Sequence, residues 1–138
     1  MRVISLNVNG IRAADRKGLG NWLSRSHPWD VVCMQEVRAG DAEIPAPLRA
    51  PRKCTAGFHA AQKAGYAGVG IYTRAAATFA PGFGSPEFDN EGRYLRADFA
   101  DVSVISLYLP SGSSGPHRQA SKFRFLDEFL PHLAKLRR

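Results

Sequence analysis

The chain is poor in the features that mark secreted, membrane-spanning or disulfide-held proteins. It has two cysteines in 138 residues, Cys33 inside an apolar run and Cys54 beside Lys53, which suggests neither a disulfide framework nor a zinc site. No apolar run is long enough to span a bilayer. The first residues, Met1-Arg2-Val3-Ile4-Ser5-Leu6, enter a strand pattern at once, without the layout of a signal peptide. A cytoplasmic protein with no membrane partner is therefore expected. Internal repeats and an interdomain linker are also lacking, and the length suits one domain with a modest core. Acidic residues are scarce, 12 against 19 basic, for a net charge of +7. The excess is uneven: +6 over residues 1–83, −3 over 84–110 and +4 over 111–138. A basic domain suits a polyanionic partner.

What is present is best read outward from Val31-Val32-Cys33-Met34-Gln35-Glu36-Val37. It follows a turn at His27-Pro28-Trp29-Asp30 and opens with soft residues in a row, the pattern of a strand buried on both faces. The run ends on Glu36. A carboxylate there is either a solvated strand end or a group placed where open α/β sheets bind ligands. Upstream, residues 3–8 read as a first strand closed by an Asn9-Gly10 turn. Asn7, polar at its end, either satisfies a neighbouring loop backbone or serves a site. Between the two strands the spacing of Leu19, Trp22 and Leu23 predicts a helix over 14–26, weakened by Gly18 and Gly20. Strand, helix and strand make a βαβ unit, which puts Asn7 and Glu36 at one sheet edge if the strands are parallel.

Residues 40–53 read as a surface loop rich in Pro, Ala and Gly. Strands are expected near 54–61, 67–73, 93–99 and 102–109, with a short one near 76–80 and a hairpin loop at Lys63-Ala64-Gly65-Tyr66. Tyr108 lies at the carboxyl end of the last. Residues 111–117 read as a loop, and a long helix is expected from Gln119. Its expected apolar face is Phe123, Leu126, Leu130 and Leu133, with a kink or break at Pro131. The fold class is α/β. Three strand ends thus carry a polar group: Asn7, Glu36 and Tyr108. Metal-assisted phosphodiester cleavage needs a hard oxygen ligand for Mg²⁺ and donors for phosphate oxygens; Glu36 can supply the first, Asn7 and Tyr108 the second.

Ser5-Leu6-Asn7-Val8-Asn9-Gly10-Ile11-Arg12-Ala13 resembles the opening motif of the exonuclease III family of abasic-site endonucleases, of the endonuclease/exonuclease/phosphatase superfamily. Met34-Gln35-Glu36-Val37 is similar to that family's metal motif, and Gly65-Tyr66-Ala67-Gly68-Val69-Gly70-Ile71 to its glycine-rich hairpin. Phe88-Asp89-Asn90-Glu91-Gly92-Arg93 and Tyr108-Leu109-Pro110-Ser111-Gly112 resemble two more of its signatures. The resemblance implies that Glu36 ligates a catalytic Mg²⁺ or Mn²⁺ and that Asn7 binds near the metal and the scissile phosphate. It implies that Tyr108 contacts that phosphate in the transition state. Arg12 and Lys63 would meet DNA phosphates. Tyr66 would either press on the duplex or only pack the hairpin, and Arg93 would either buttress the site or touch DNA.

The family's later Gly-Asp-x-Asn and Ser-Asp-His motifs have no match. His27, His59, His117 and His132 all lie in other contexts, and Asp127, the only Asp after Tyr108, falls in the expected helix. The resemblance therefore implies that residues 1–138 are the N-terminal part of one four-layer α/β sandwich, inactive without the remaining half. The complete enzyme would cleave double-stranded DNA at abasic sites and trim 3′ ends. A related phosphoesterase acting on lipid or inositol phosphates, and a non-catalytic DNA-binding fragment, are the other classes. Residues 1–138 are expected to supply most of one sheet, with Val32, Ile71 and Ile105 facing a second sheet outside the chain and so leaving an apolar face open to water.

Overall fold

The computed structural model describes residues 1–25 and 28–137. Seven strands form in the order β1 (Val3–Asn7), β2 (Val31–Gln35), β3 (Thr55–His59), β4 (Val69–Thr73), β5 (Thr78–Pro81), β6 (Tyr94–Asp98) and β7 (Ser103–Leu107). All the expected strands are present, each a residue or more shorter than its apolar run. They divide into a four-stranded sheet of order β1-β2-β4-β3 and a three-stranded sheet of order β5-β6-β7. β1 and β2 are parallel, with Asn7 opposite Gln35; every other pairing is antiparallel.

The helical run expected over 14–26 is two short helices, α1 (Ile11–Arg16) and α2 (Leu19–Ser24). The break is Gly18, whose φ of +98° no L side chain adopts cheaply. Residue 26, the expected end, and His27 lie outside the described residues. The stretch expected as plain loop carries a 3-10 turn over Asp41–Glu43 and a single helical turn, α3 (Ala46–Arg49). A further turn, α4 (Pro86–Asp89), precedes β6. The last helix, α5, starts earlier than expected, at Pro116, and runs unbroken to Leu136. Proline suits a first helical turn, where its missing N–H is not needed. Pro131 does not divide the helix.

Alternation along the strands sorts the core into three layers of contact. Val32, Met34 and Tyr72 pack outward against Ile11, Leu19, Leu23 and Leu48 of α1, α2 and α3. Val31, Cys33, Val69 and Ile71 point the other way and meet Leu95 and Ala97 of the second sheet. Phe88, Tyr94, Phe125 and Phe129 fill the space between the second sheet and α5, joined by Ile105 and Leu107. The chain therefore supplies strands to both sheets of the sandwich, and the expectation that it supplies most of one is corrected. Val32 and Ile105 face helices. Ile71 does face a second sheet, but that sheet is β5-β6-β7.

The apolar face expected for α5 is also corrected. Its buried residues are Ser121, Phe125 and Phe129, because two aromatic rings four residues apart reach the ring cluster of Phe83, Phe88 and Tyr94. Phe123, Leu130 and Leu133 are exposed. No helix among the described residues is long and apolar enough to cross a membrane.

Candidate functional site

The parallel register of β1 and β2 brings the ends of both strands to one edge, as expected. From there the two chains continue side by side: Val8 N donates to Gln35 O, Gly10 N to Glu36 O and Ile11 N to Val37 O, at 2.7–3.0 Å. On the other flank Val37 N and Arg38 N donate to Gly68 O and Ala67 O of the glycine-rich hairpin. Held on both sides, Glu36 takes a φ of +54° and Arg38 +53°, a left-handed conformation that costs a non-glycine residue about 1–3 kcal/mol. Strain of this kind persists where the surroundings over-determine the backbone. It turns the Glu36 carboxylate out of the strand alternation toward the end of the second sheet.

Three side chains converge on that carboxylate. Asn7 Nδ2 donates to Glu36 Oε1 at 2.9 Å, and Tyr108 OH donates to the same oxygen at 3.0 Å. Arg38 Nη2 donates to Oε2 at 2.5 Å. Asn7 is itself oriented, since its Oδ1 accepts from Asn9 N at 3.0 Å. The Asn7 hydrogen bond holds the Glu36 carboxyl below the usual range against the opposing effect of burial, with Tyr108 and Arg38 adding in the same direction. The Tyr108 hydroxyl moves up, through burial first and its bond to Glu36 second. At neutral pH the pair is thus an ionised acceptor and a protonated donor.

Tyr108 comes from beyond β7, in the other sheet. It is placed by Arg93, which is 2% exposed. Arg93 Nη1 donates to Tyr108 O at 3.1 Å, Nη2 to Tyr66 OH at 2.9 Å, and Nε to Glu91. Its guanidinium is thus enclosed by Glu91, Tyr108 and Tyr66. Gly92 makes the arrangement possible. Its φ is +60°, and a Cβ there would lie 2.5 Å from His59 O. The 60–66 loop therefore rests on the 90–92 turn, with Gln62 N donating to Asn90 O.

Tyr66 is half-buried at the end of that loop. Its hydroxyl accepts from Arg93 and from Arg118 Nη1 at 3.1 Å, and Lys63 Nζ lies 5.4 Å from its ring centre. Asn7, Glu36 and Tyr108 are thus in direct contact, and Arg93, Tyr66 and Lys63 form a group joined to them through Tyr108. Arg12 stands apart: it is exposed and pairs with Glu43 at 3.2 Å. Sequence reasoning missed Arg38 and Arg118. Arg38 had a readable signal, a cation two residues past the singled-out carboxylate; Arg118 had none, because only the fold brings it across 52 residues to Tyr66.

Among the described residues no three His, Cys, Asp or Glu side chains group as a metal site. A hard, water-rich ion such as Mg²⁺ makes smaller demands, often one or two carboxylates. Glu36 offers one, its Oε2 paired with Arg38, whose side chain is 45% exposed. The donor set fits such an ion, with Glu36 as ligand and the Asn7 amide beside it.

A model of the Endonuclease/Exonuclease/phosphatase family matches residues 4–138. Over 120 residues the chain is 32% identical to the DNA repair nuclease APEX1 of Danio rerio, covering 83% of this chain and 38% of that protein. Over 139 residues it is 29% identical to an exodeoxyribonuclease of Bacillus subtilis, covering 99% of this chain and 53% of that one. The solved structure of an AP endonuclease from Archaeoglobus fulgidus superposes with a TM-score of 0.82 at 25% identity, over 98% of this chain and 52% of that one. The chain spans about half the length, or less, of the curated relatives it matches.

Proposed function

The chain belongs to the endonuclease/exonuclease/phosphatase family, and from that premise we propose that it carries the metal- and phosphate-binding part of a DNA-repair nuclease. The substrate of the complete protein is double-stranded DNA with abasic sites or 3′ ends, and the reaction is hydrolysis of a phosphodiester bond. The observation that carries this reading is the contact of Asn7, Glu36 and Tyr108, brought from three strand ends of two sheets onto one carboxylate. A carboxylate placed to hold a divalent cation, with an amide and a phenol as donors beside it, suits an anionic phosphate diester better than an uncharged substrate. The DNA-repair names of the relatives support the choice of nucleic acid over a phospholipid.

Glu36 would hold Mg²⁺ or Mn²⁺, which when bound supplies charge to the phosphate and lowers the pKa of attacking water. The other roles fall to side chains whose positions are described above. Tyr108, kept protonated, donates to a phosphate oxygen once its hydroxyl leaves Glu36; a preorganised donor aimed at developing charge is worth about 10²–10³ in rate. Asn7 fixes the carboxylate and offers its amide to the same phosphate. Arg93 holds Tyr108 and Tyr66 in place. Lys63 and Arg12 meet backbone phosphates farther along the duplex, and Tyr66 borders the lesion. Residues 1–138 are one part of the catalytic domain, and its place of work is the cytoplasm.

The test is nicking of a duplex with a single abasic site by the complete protein and its Glu36→Gln variant, beside a phospholipid control. The variant is expected to lose Mg²⁺-dependent nicking and to keep DNA affinity, measured in EDTA. Ordinary turnover by the variant, or preferential cleavage of the lipid, would falsify the assignment.

A further inference from the structure

Among the described residues, ion pairs occupy Arg12, Arg38, Arg93, Arg96 and Arg124. Four other cations meet at one place. Arg25, Arg52, Lys53 and Arg74 line a single hollow of about 350 Å³, and among the described residues no acidic side chain borders it. Its walls are the end of α2, the segment leading into β3 and the residue after β4. None of its walls belongs to β1, β7 or α5, so its shape owes nothing to the open edges of those strands. Thr55 and Val31 both stand opposite Thr73, which puts the hollow at the end of the sheet where β2 begins. Glu36 follows the other end of β2, a strand length of roughly 15–20 Å away. The hollow is therefore separate from the candidate catalytic site.

The key guanidinium is held in place. Arg74 Nη2 donates to Arg25 O at 3.0 Å, and its guanidinium lies 4.2 Å from the centre of the Trp29 ring. Asp30 is the acid tied to this corner, since its carbonyl accepts from Arg74 N, but its carboxylate is taken by Arg2 N at 2.5 Å. Four like charges around a concavity raise the local potential and concentrate anions there. The planar donor fork of arginine matches phosphate oxygens. Leu23 and the Cys54 thiol make the apolar part of the wall. The volume is at the lower end of the range of about 300–1,000 Å³ found for pockets that take organic ligands, so the anion that fills it carries more than a bare phosphate.

We propose that this hollow binds a small phosphomonoester of about mononucleotide size. Arg25, Arg52, Lys53 and Arg74 hold the phosphate, and the organic part lies against Leu23 and Cys54. The site does not depend on the nuclease reading or on Glu36.

Cys54 reports occupancy without any assay of activity. Burial raises its thiol and the charge of Arg74 opposes that rise. An anion beside Arg74 removes the opposition and covers the sulfur, so alkylation slows. Cys33 is buried and stays unlabelled while the fold is intact. The complete protein is treated with iodoacetamide at fixed ionic strength, and the Cys54 peptide is quantified by mass spectrometry. Millimolar 2′-deoxyadenosine 5′-monophosphate is expected to slow labelling by about threefold or more, inorganic phosphate less, and deoxyadenosine not at all. Arg52→Gln and Lys53→Gly each remove one charge at an exposed position, and glycine suits the φ of +61° at residue 53. Each should raise the nucleotide concentration needed for half protection by about two- to fivefold, with Cys33 still unlabelled. The proposal is overturned if no phosphate compound slows labelling, if deoxyadenosine or chloride protects as well as the nucleotide, or if both variants are protected like the wild type. A short DNA duplex that protects Cys54 as well as the nucleotide does would put the hollow on a DNA-binding face and overturns it too.

Discussion

Arg93 and Tyr94 are neighbours in sequence, both almost fully buried, yet they belong to regions held together by opposite means. Arg93 faces the polar end of the strands, where each contact is a directed hydrogen bond and the backbone around Glu36 is strained. Tyr94 faces α5 and is flanked by Phe83 and Phe129 at ring separations of 5.5 and 6.2 Å. Even its hydroxyl is settled, at 2.9 Å from His132 Nε2. The aromatic layer lowers the energy of the fold. The polar end draws on that stability to hold a carboxylate, a phenol and a guanidinium where water would otherwise separate them.

Substitutions on the two sides should separate these roles. The largest effect is expected from Phe125→Ala, which empties a fully buried site and should cost about 3–5 kcal/mol, read as a lower denaturation midpoint. Its effect on the polar end should be confined to the loss of overall stability. Arg93→Met keeps much of the volume but leaves Glu91 and the Tyr108 carbonyl without their donor; about 3 kcal/mol is expected, together with loss of Tyr108 alignment. Equal activity per folded molecule in the Arg93 and Phe125 variants would dissolve the distinction between the regions.

Gly92→Ala is expected to cost about 1–3 kcal/mol, since it adds strain at a positive φ and pushes against the His59 carbonyl. Its signature is greater mobility of the 60–66 loop by amide exchange. Smallest is a pH effect. The folded Glu36 carboxyl titrates below its ordinary range, so its contribution to stability is present above the unfolded pKa and is lost as pH falls through the folded one. The stability difference between wild type and Glu36→Gln should therefore hold constant from neutrality down to the ordinary carboxylate range and shrink below it.

Much of this was legible in the residues. Strand positions followed from apolar runs bounded by turn residues, and the polar ends at Asn7, Glu36 and Tyr108 stood out because polar groups interrupt otherwise apolar patterns. What could not be read was how the strands divide into sheets. Val32 and Cys33 are both buried, so the run gives no clue that one faces helices and the other a sheet. On α5 the stripe of Phe123, Leu130 and Leu133 has the same periodicity as the buried Phe125 and Phe129, and periodicity alone does not say which face meets the core. The roles of Arg93 and Arg118 depend on separations of 15–52 residues, beyond the reach of any local pattern.

The two sheets are also tied directly. Ser106 Oγ donates to Met34 O at 3.0 Å, and Tyr108 OH reaches Glu36, each across 72 residues of chain. These links close a long loop, and closure entropy must be met before such contacts return anything. During refolding the β1-β2 and β6-β7 units can form from nearby residues, but Glu36 acquires its phenol only when the sheets dock. The polar end is therefore assembled late, and a chain stalled before docking has every strand and no site.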